Sequence, residues 1–496
     1  MTNIASPLTL QLPDATAIIS RGRATTYGEL SRQIRAFRGA LRELGVQPGD
    51  RVALLAGNSR HFVVAYYATT GLGAVAVPLN PLAPAAELQR EIAEVEASVV
   101  VVGPSAIAAW MNIDGSSVPS VRHVIAGDNT SMVGTLAFDD LLGHSELDVV
   151  PTDANSLAVL MFTSGTAGAP KAAMLTHGNL LSNISQTLSS NPMHAKDVFF
   201  GVLPLFHIFG LNVVLGCAMS SGASLVLIER FDPSSALETI RDRGISVMAG
   251  APSMWAALGQ TPGVDTASMA KVRLAITGAA KMPEDVALAF EARCGVRLIE
   301  GYGLTEASPV VSTARAGVTP IGSIGQVLDK MNVRLVDEQG GDALVGDTGE
   351  IWVQGPNVFS GYWNDADATA RVLTSDGWLR TGDIAVADEA GNLFIVDRAK
   401  DLIIVSGFNV YPAEVEGVLN EHPGIAQAAV VGVPHPHTGE AVKAFVVPQP
   451  NVYLDEDAII AYSQKQLSRY KCPSKVLFVE SLPVNATGKV LRRALH

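Results

Sequence analysis

An apolar run, Leu157-Ala158-Val159-Leu160-Met161-Phe162, passes directly into Thr163-Ser164-Gly165-Thr166-Ala167-Gly168-Ala169-Pro170-Lys171. The first stretch reads as a buried strand, the second as a hydroxyl- and glycine-rich loop closed by a lysine. A chain with this junction can fold so that a buried strand delivers an anion cradle. Glycines let successive backbone N–H groups turn toward one polyphosphate, hydroxyls add donors, and the lysine adds a point charge. The pattern G-x-x-x-x-G-K-[ST] does not describe it, because Pro170 precedes the lysine and Ala172 follows it. Alone, such a loop is also an ordinary surface loop. Its weight comes from what lies downstream.

The first hundred residues alternate strand and helix patterns. Thr26 and Glu29 form a capping box opening a helix whose apolar positions, Leu30, Ile34, Phe37 and Leu41, follow helical spacing, with Gly45 closing it. A buried strand is expected at 52–55, a helix capped by Asn58, a strand at 74–77, a helix at 85–95 and a strand at 98–102. This βαβ rhythm implies parallel sheets with helices on both faces. After about Asp397 the segments shorten, with strands expected at 402–405, 428–433, 444–447 and 476–479. Helices are expected through 414–419 and over 455–467. The expectation is an α/β chain with domains at 1–397 and 398–496, the second a small α+β domain.

At 496 residues the chain is too long for a single core. Its apolar content of 48% against 17% charged residues excludes a disordered protein. A formal charge of −13 argues against a nucleic-acid partner. Cys217, Cys294 and Cys472 are too scattered for a zinc site or a disulfide framework. A reduced, cytoplasmic setting is therefore expected, with no secretory signal over Met1–Leu12 and no transmembrane run. Peripheral membrane contact and a homodimer stay open.

Four further islands carry chemistry. In Gly301-Tyr302-Gly303-Leu304-Thr305-Glu306, glycines allow close approach of a flat ligand on which Tyr302 can stack. Glu306 offers a hard oxygen to a magnesium ion riding on phosphates. In Arg380-Thr381-Gly382-Asp383 the carboxylate can accept from a ribose diol. Asp397-Arg398-Ala399-Lys400-Asp401, followed by Ser406-Gly407-Phe408, sits at the domain junction, where charged side chains can swap partners. Arg398 can also reach a ribose or phosphate. Near the C-terminus, Lys489 follows the flexible Thr487-Gly488 step and can swing into a cleft. Each island alone is equally a turn, a solvated linker or a surface lysine.

The ordered set resembles the adenylate-forming superfamily of acyl-CoA synthetases, adenylation domains and luciferases, over nearly the whole chain from Thr26 to Arg493. The resemblance implies a large N-terminal domain of two layered βαβ subdomains plus a β-barrel-like piece, and a small C-terminal lid. It implies a carboxylate attacking MgATP to give acyl-AMP and pyrophosphate, followed by thiol displacement of AMP. On that resemblance Lys489 bridges the carboxylate and α-phosphate, and Thr163 to Lys171 hold the β- and γ-phosphates. Thr305 contacts the α-phosphate, Glu306 binds magnesium, Asp383 and Arg398 take the ribose, and Tyr302 takes the adenine face. Gly278-Ala279-Ala280 line the adenine and acyl-carbonyl side. Lys400 matches the hinge of the lid, and Ser406 and Gly407 line the thiol tunnel for coenzyme A. The family usually has a threonine where Ala167 stands, a glycine at Ala172, and a hydroxylated aromatic at Phe162. These departures remove donors or add a methyl near the phosphates.

Pro204-Leu205-Phe206-His207-Ile208-Phe209-Gly210 resembles the segment shaping the acyl pocket, with His207 at its mouth in a gating or orienting role. The aspartate that amino-acid adenylation domains place there for a substrate ammonium is missing. The stretches 248–254 and 277–282 offer no arginine for a second carboxylate, although Lys281 lies nearby. The expectation is an apolar acid, first a medium- or long-chain fatty acid, with aryl or coumarate-type acids close behind. An acyl-AMP ligase serving an acyl carrier protein is the other enzymatic alternative, and a non-catalytic adenylate-binding protein the remote one.

Overall fold

The computed structural model describes residues 2–127, 134–163, 170–315, 317–398, 401–405, 408–435, 438–467, 469–485 and 488–495. Two compact units emerge. The first comprises Met1–Asn332 with Gln354–Leu379, the second Val333–Val353 with Arg380–His496.

Among the described residues the first unit carries two large sheets. A seven-stranded sheet runs in the order Leu136–Ala137, His123–Ala126, Val99–Val102, Arg51–Leu55, Val75–Pro78, Leu157–Thr163, Lys171–Thr176. All its pairs are parallel except the last. Every residue of Val99–Val102 and Val75–Pro78 is buried, as a parallel sheet covered on both faces requires. A nine-stranded sheet has a parallel centre, Thr16–Ser20, Ser224–Leu227, Val198–Gly201, Val247–Gly250, Leu274–Thr277 and Leu298–Gly303. Antiparallel strands close it at both ends. This is the α/β layering expected from the sequence.

The local readings hold with three corrections. The helix Tyr27–Glu43 buries Leu30, Ile34, Phe37 and Leu41 along one stripe, and Gly45 follows with φ +81°. Only half of the expected capping box forms. Thr26 Oγ1 accepts from Glu29 N at 3.2 Å, but the Glu29 carboxylate turns to Arg23 and Gln33. A complete reciprocal box instead opens the helix His177–Ser190, between Thr176 and Asn179.

The second correction is Asn58, which caps nothing. Ser59 caps the helix Arg60–Gly71, accepting from Phe62 N. The Asn58 amide is buried between the two sheets. Its Nδ2 donates to the carbonyls of Gly201, Leu203 and Ile228 at 2.9–3.1 Å, and its Oδ1 accepts from Leu205 N at 2.9 Å. One side chain thus bonds four backbone groups at sheet ends, sharing Gly201 O with Ile228 N.

In the second unit a four-stranded sheet is built from Asn332–Val336, Gly349–Gln354, Leu379–Ala387 and Leu393–Arg398; Asn332, Gln354 and Leu379 belong to the first unit. A five-stranded sheet pairs Phe408–Val410, Ile403–Val405, Gly439–Pro448, Ile425–His435 and Lys475–Phe478. The helices Pro412–Asn420 and Glu456–Ser463 pack Val415, Leu419 and Ile459 against its apolar face. The polar helix expected over 455–467 is shorter. Asp455 caps it, and it ends at Ser463, whose hydroxyl folds back on Ile460 O. Among the described residues no helix is long and apolar enough to cross a membrane.

Candidate active site

Thr163 ends one strand and Lys171 begins the next, and the two are Cα partners across the mouth of the hairpin. Thr163 therefore lies at the carboxyl end of a strand running parallel to Val75–Pro78, where open α/β sheets place ligands. Ser164, Gly165, Thr166 and Gly168 lie outside the described residues.

A segment that the sequence reading passed over organises this corner. Residues 359–363 run alongside the edge strand Lys171–Thr176, with Trp363 N bonded to Ala172 O, Met174 N to Gly361 O and Ser360 N to Met174 O, at 2.8–3.0 Å. The same segment reaches the turn Thr305–Ala307, where Phe359 N donates to Glu306 O at 2.8 Å. It thereby stitches the lysine end of the loop to the Thr305-Glu306 turn.

Side chains follow that stitching. Tyr362 Oη donates to Glu306 Oε1 at 2.7 Å. Burial, then the Glu306 charge, pushes the phenol well above its ordinary pKa. The Lys171 ammonium pairs with Asp365 Oδ2 and lies 5.8 Å from the centre of the Tyr362 ring. The hydrogen bond from Lys171, and next that from Ala368 N, hold the Asp365 carboxyl below the usual carboxylate range. The only signal in the sequence was Asp365 as a helix cap ahead of Ala366–Val372, which says nothing about its second oxygen.

Three asparagines fix the turn from beneath. Asn183 takes Val310 N on its Oδ1 and gives its Nδ2 to Val310 O. Asn212 Nδ2 donates to Ser308 O, and Asn357 Nδ2 to Ala307 O, each at 2.7 Å. All three are buried. Gly303 must be glycine here, because a Cβ would lie 2.2 Å from Pro309 O.

Gly301 and Tyr302 lie on Leu298–Gly303, opposite Thr313 and Ser312. The neighbouring parallel strand Leu274–Thr277 leads to Gly278, where a Cβ would come within 3.2 Å of the Phe209 ring and 3.3 Å of Gly301 O. Gly278, Gly301 and Phe209 therefore meet, and Ala280 follows them by way of Ala279. Ala279 has φ +69°, a left-handed conformation that costs a non-glycine residue about 1 kcal/mol or more and recurs at functional sites. His207 precedes the π-helix Phe209–Gly216, and its Nδ1 accepts from Phe209 N at 3.3 Å. On the same strand Glu300 is buried, its Oε1 accepting from Met282 N, and burial pushes its carboxyl up to about 7.

In the second unit Asp383 and Arg398 are Cα partners on adjacent antiparallel strands. Asp383 is buried and its N donates to Thr381 Oγ1. Only the backbone of Arg398 is described. Lys489 closes a tight turn, with Asn485 N bonded to Lys489 O and Lys489 N to Asn485 Oδ1, both at 2.8 Å. Gly488 adopts φ +82° inside that turn. Lys400, Ser406 and Gly407 lie outside the described residues.

This donor set suits a magnesium nucleotide. Glu306 presents a hard carboxylate whose Oε1 accepts from Tyr362. Among the described residues no three His, Cys, Asp or Glu side chains gather to hold a metal. Such a site fits an ion that arrives with most of its oxygen ligands on a polyphosphate, as magnesium does.

Comparison with known proteins places the chain in a family. Residues 9–363 match the AMP-binding enzyme family and residues 414–489 its C-terminal domain. The chain is 37% identical over 482 residues to a feruloyl-CoA synthase of an Amycolatopsis species, covering 97% of this chain and 95% of the relative. It is 34% identical to a long-chain-fatty-acid–CoA ligase of Bacillus subtilis, covering 100% and 94%. A crystal structure of ATP-bound MatB from Rhodopseudomonas palustris superposes with a TM-score of 0.93 at 33% identity, covering 100% of this chain and 98% of that one. With a family match over residues 9–363 and relatives 34–37% identical along nearly its whole length, the chain belongs to the AMP-binding enzyme family.

Proposed function

We propose that this protein activates a carboxylic acid with MgATP to an acyl-AMP, releasing pyrophosphate, and then passes the acyl group to coenzyme A, releasing AMP. The observation that carries this reading is the corner at which Lys171 and Glu306 are drawn onto one strap. A cation and a hard metal ligand at a strand end are what a triphosphate–magnesium pair requires. The acid and the nucleotide are both anions, so the first step needs positive charge between them. Lys489 is assigned that role, with Thr305 at the α-phosphate and Thr163 to Lys171 at the outer phosphates. Asp383 and Arg398 are assigned to the ribose, Tyr302 and Gly278 to Ala280 to the adenine side. Lys400 is assigned to the hinge, Ser406 and Gly407 to the thiol path. The functional boundary at 397/398 belongs to the same proposal.

The acid is proposed to be apolar, with medium- or long-chain fatty acids first. An aryl acid is the second reading. It is favoured by the Phe209 ring lying against Gly278, which offers a flat wall to a planar acyl group. The feruloyl-CoA synthase relative points the same way. Incubation with MgATP and an acid panel from acetate to long-chain fatty acids, with benzoate and cinnamate types, tests this by mass spectrometry of products. Acyl-CoA from a band of fatty-acid lengths supports the first reading, and acyl-CoA from planar acids alone the second. Acyl-AMP accumulating despite coenzyme A redirects the proposal to a carrier-protein acceptor. No adenylate from any acid removes it.

A further inference from the structure

Lys171 has a partner within its own chain. Its ammonium is bonded to Asp365 Oδ2, and the pair is only partly exposed, at 31% and 34%. Asp365 is held in place independently of the lysine. Its Oδ1 accepts from Ala368 N at 2.8 Å as the cap of Ala366–Val372, leaving the second oxygen to the ammonium. Glu94 at the end of the helix Ala85–Glu94 feels the same pair, lowered by Lys171 and raised by Asp365 beneath a larger burial effect. Two carboxylates therefore bear on the one cation assigned to the outer phosphates. A phosphate approaching Lys171 meets the negative charge of Asp365 at the same spot.

We propose that Asp365 is the resting counter-ion of Lys171, holding the ammonium at the mouth of the loop until the terminal phosphates displace the carboxylate. Asp365 then sets the apparent affinity for MgATP without touching the reacting atoms, and it is a positioning residue. The inference rests on the assignment of Lys171 to the β- and γ-phosphates. A half-exposed ion pair is weak, so a triphosphate carrying several charges wins the exchange, and the tether lowers nucleotide affinity by only about two- to five-fold.

The test is Asp365→Asn in the full-length protein, because asparagine caps a helix as well as aspartate does. KM for MgATP and the dissociation constant measured without acid should both fall about two- to five-fold, while kcat moves less. The difference should shrink at high salt as the charges are screened. Asp365→Ser, which also caps, should repeat the result. In a Lys171→Met background Asp365→Asn should change nothing further. A raised KM or a matching loss of kcat in Asp365→Asn overturns the proposal, making Asp365 an aid to phosphate or metal binding. If Lys171→Met alone leaves MgATP binding intact, the assignment of Lys171 fails. If Lys171→Met weakens binding but Asp365→Asn does not tighten it, only the counter-ion role fails.

Discussion

Tyr362 donates its phenol proton to Glu306 Oε1 at 2.7 Å, joining the strap at 359–363 to the turn that carries the proposed magnesium ligand. That bond fixes one oxygen of the Glu306 carboxylate and with it the orientation of the group. The strap's backbone bonds to Glu306 O and to Ala172–Met174 make the arrangement rigid from both sides.

Tyr362→Phe removes that hydrogen bond and keeps the ring against Phe359 and Lys171. A hydrogen bond to a charged group contributes about 1.5–3 kcal/mol. The variant should lose thermal stability by about that amount, and with Glu306 less firmly held the magnesium concentration giving half-maximal adenylation should rise about ten-fold. A magnesium titration of pyrophosphate release reads this directly. An unaltered magnesium requirement would separate Glu306 from the metal.

Lys489→Ala should abolish acyl-AMP formation and leave thioester formation from supplied acyl-AMP largely intact. The prediction follows from assigning Lys489 to the charge between carboxylate and α-phosphate, which only the first step brings together. Equal loss in both half-reactions would sink the assignment and the lid rotation about Lys400 with it.

The parallel core was legible because a strand buried on both faces writes itself as an unbroken apolar run. Val99–Val102 and Leu157–Phe162 are readable without any partner. The Asn58–Ser59 pair was not decidable, since either residue suits a helix cap. The choice was made by carbonyls 143 to 170 residues away that only Asn58 reaches. The strap was invisible for the same reason. Nothing local distinguishes Tyr362 and Asp365 from a solvated turn, and their meaning comes from Lys171 and Glu306, 194 and 56 residues away. Motifs that approach a ligand from one short stretch can be read from sequence. Residues that hold those motifs against one another can be read only from contacts.

Glu91 is buried on the helix Ala85–Glu94, and burial, then Glu87 and Glu94, pushes its carboxyl up to about 8. A carboxyl raised in the folded state is protonated there while the unfolded chain releases its proton. Stability is therefore full below pH 4.5 and declines as pH rises from there through about 8. Glu91→Gln should remove that decline. The variant should gain stability over the parent at pH 8.5 and show little advantage at pH 5, read as paired denaturation midpoints. An advantage independent of pH would mean that the packing changed and the titration did not.

His177 gives the opposite slope. Its ring is fully buried at the first turn of His177–Ser190, and Nδ1 accepts from Ile4 N at 3.1 Å. The proton must then sit on Nε2, which is buried without a partner among the described residues. Burial lowers its pKa from 6.5 to about 4, and a cation at a helix N-terminus faces the wrong end of the dipole. Here the unfolded chain takes up the proton first. Stability is full above pH 6.5 and falls as pH drops toward about 4, by roughly 3 kcal/mol across that window. His177→Asn keeps an acceptor near the Nδ1 position and cannot titrate. It should cost stability at pH 7.5, where the parent imidazole packs better, and narrow or reverse that deficit at pH 4.5. A constant deficit at both pH values would show that the buried ring contributes packing and no pH sensitivity.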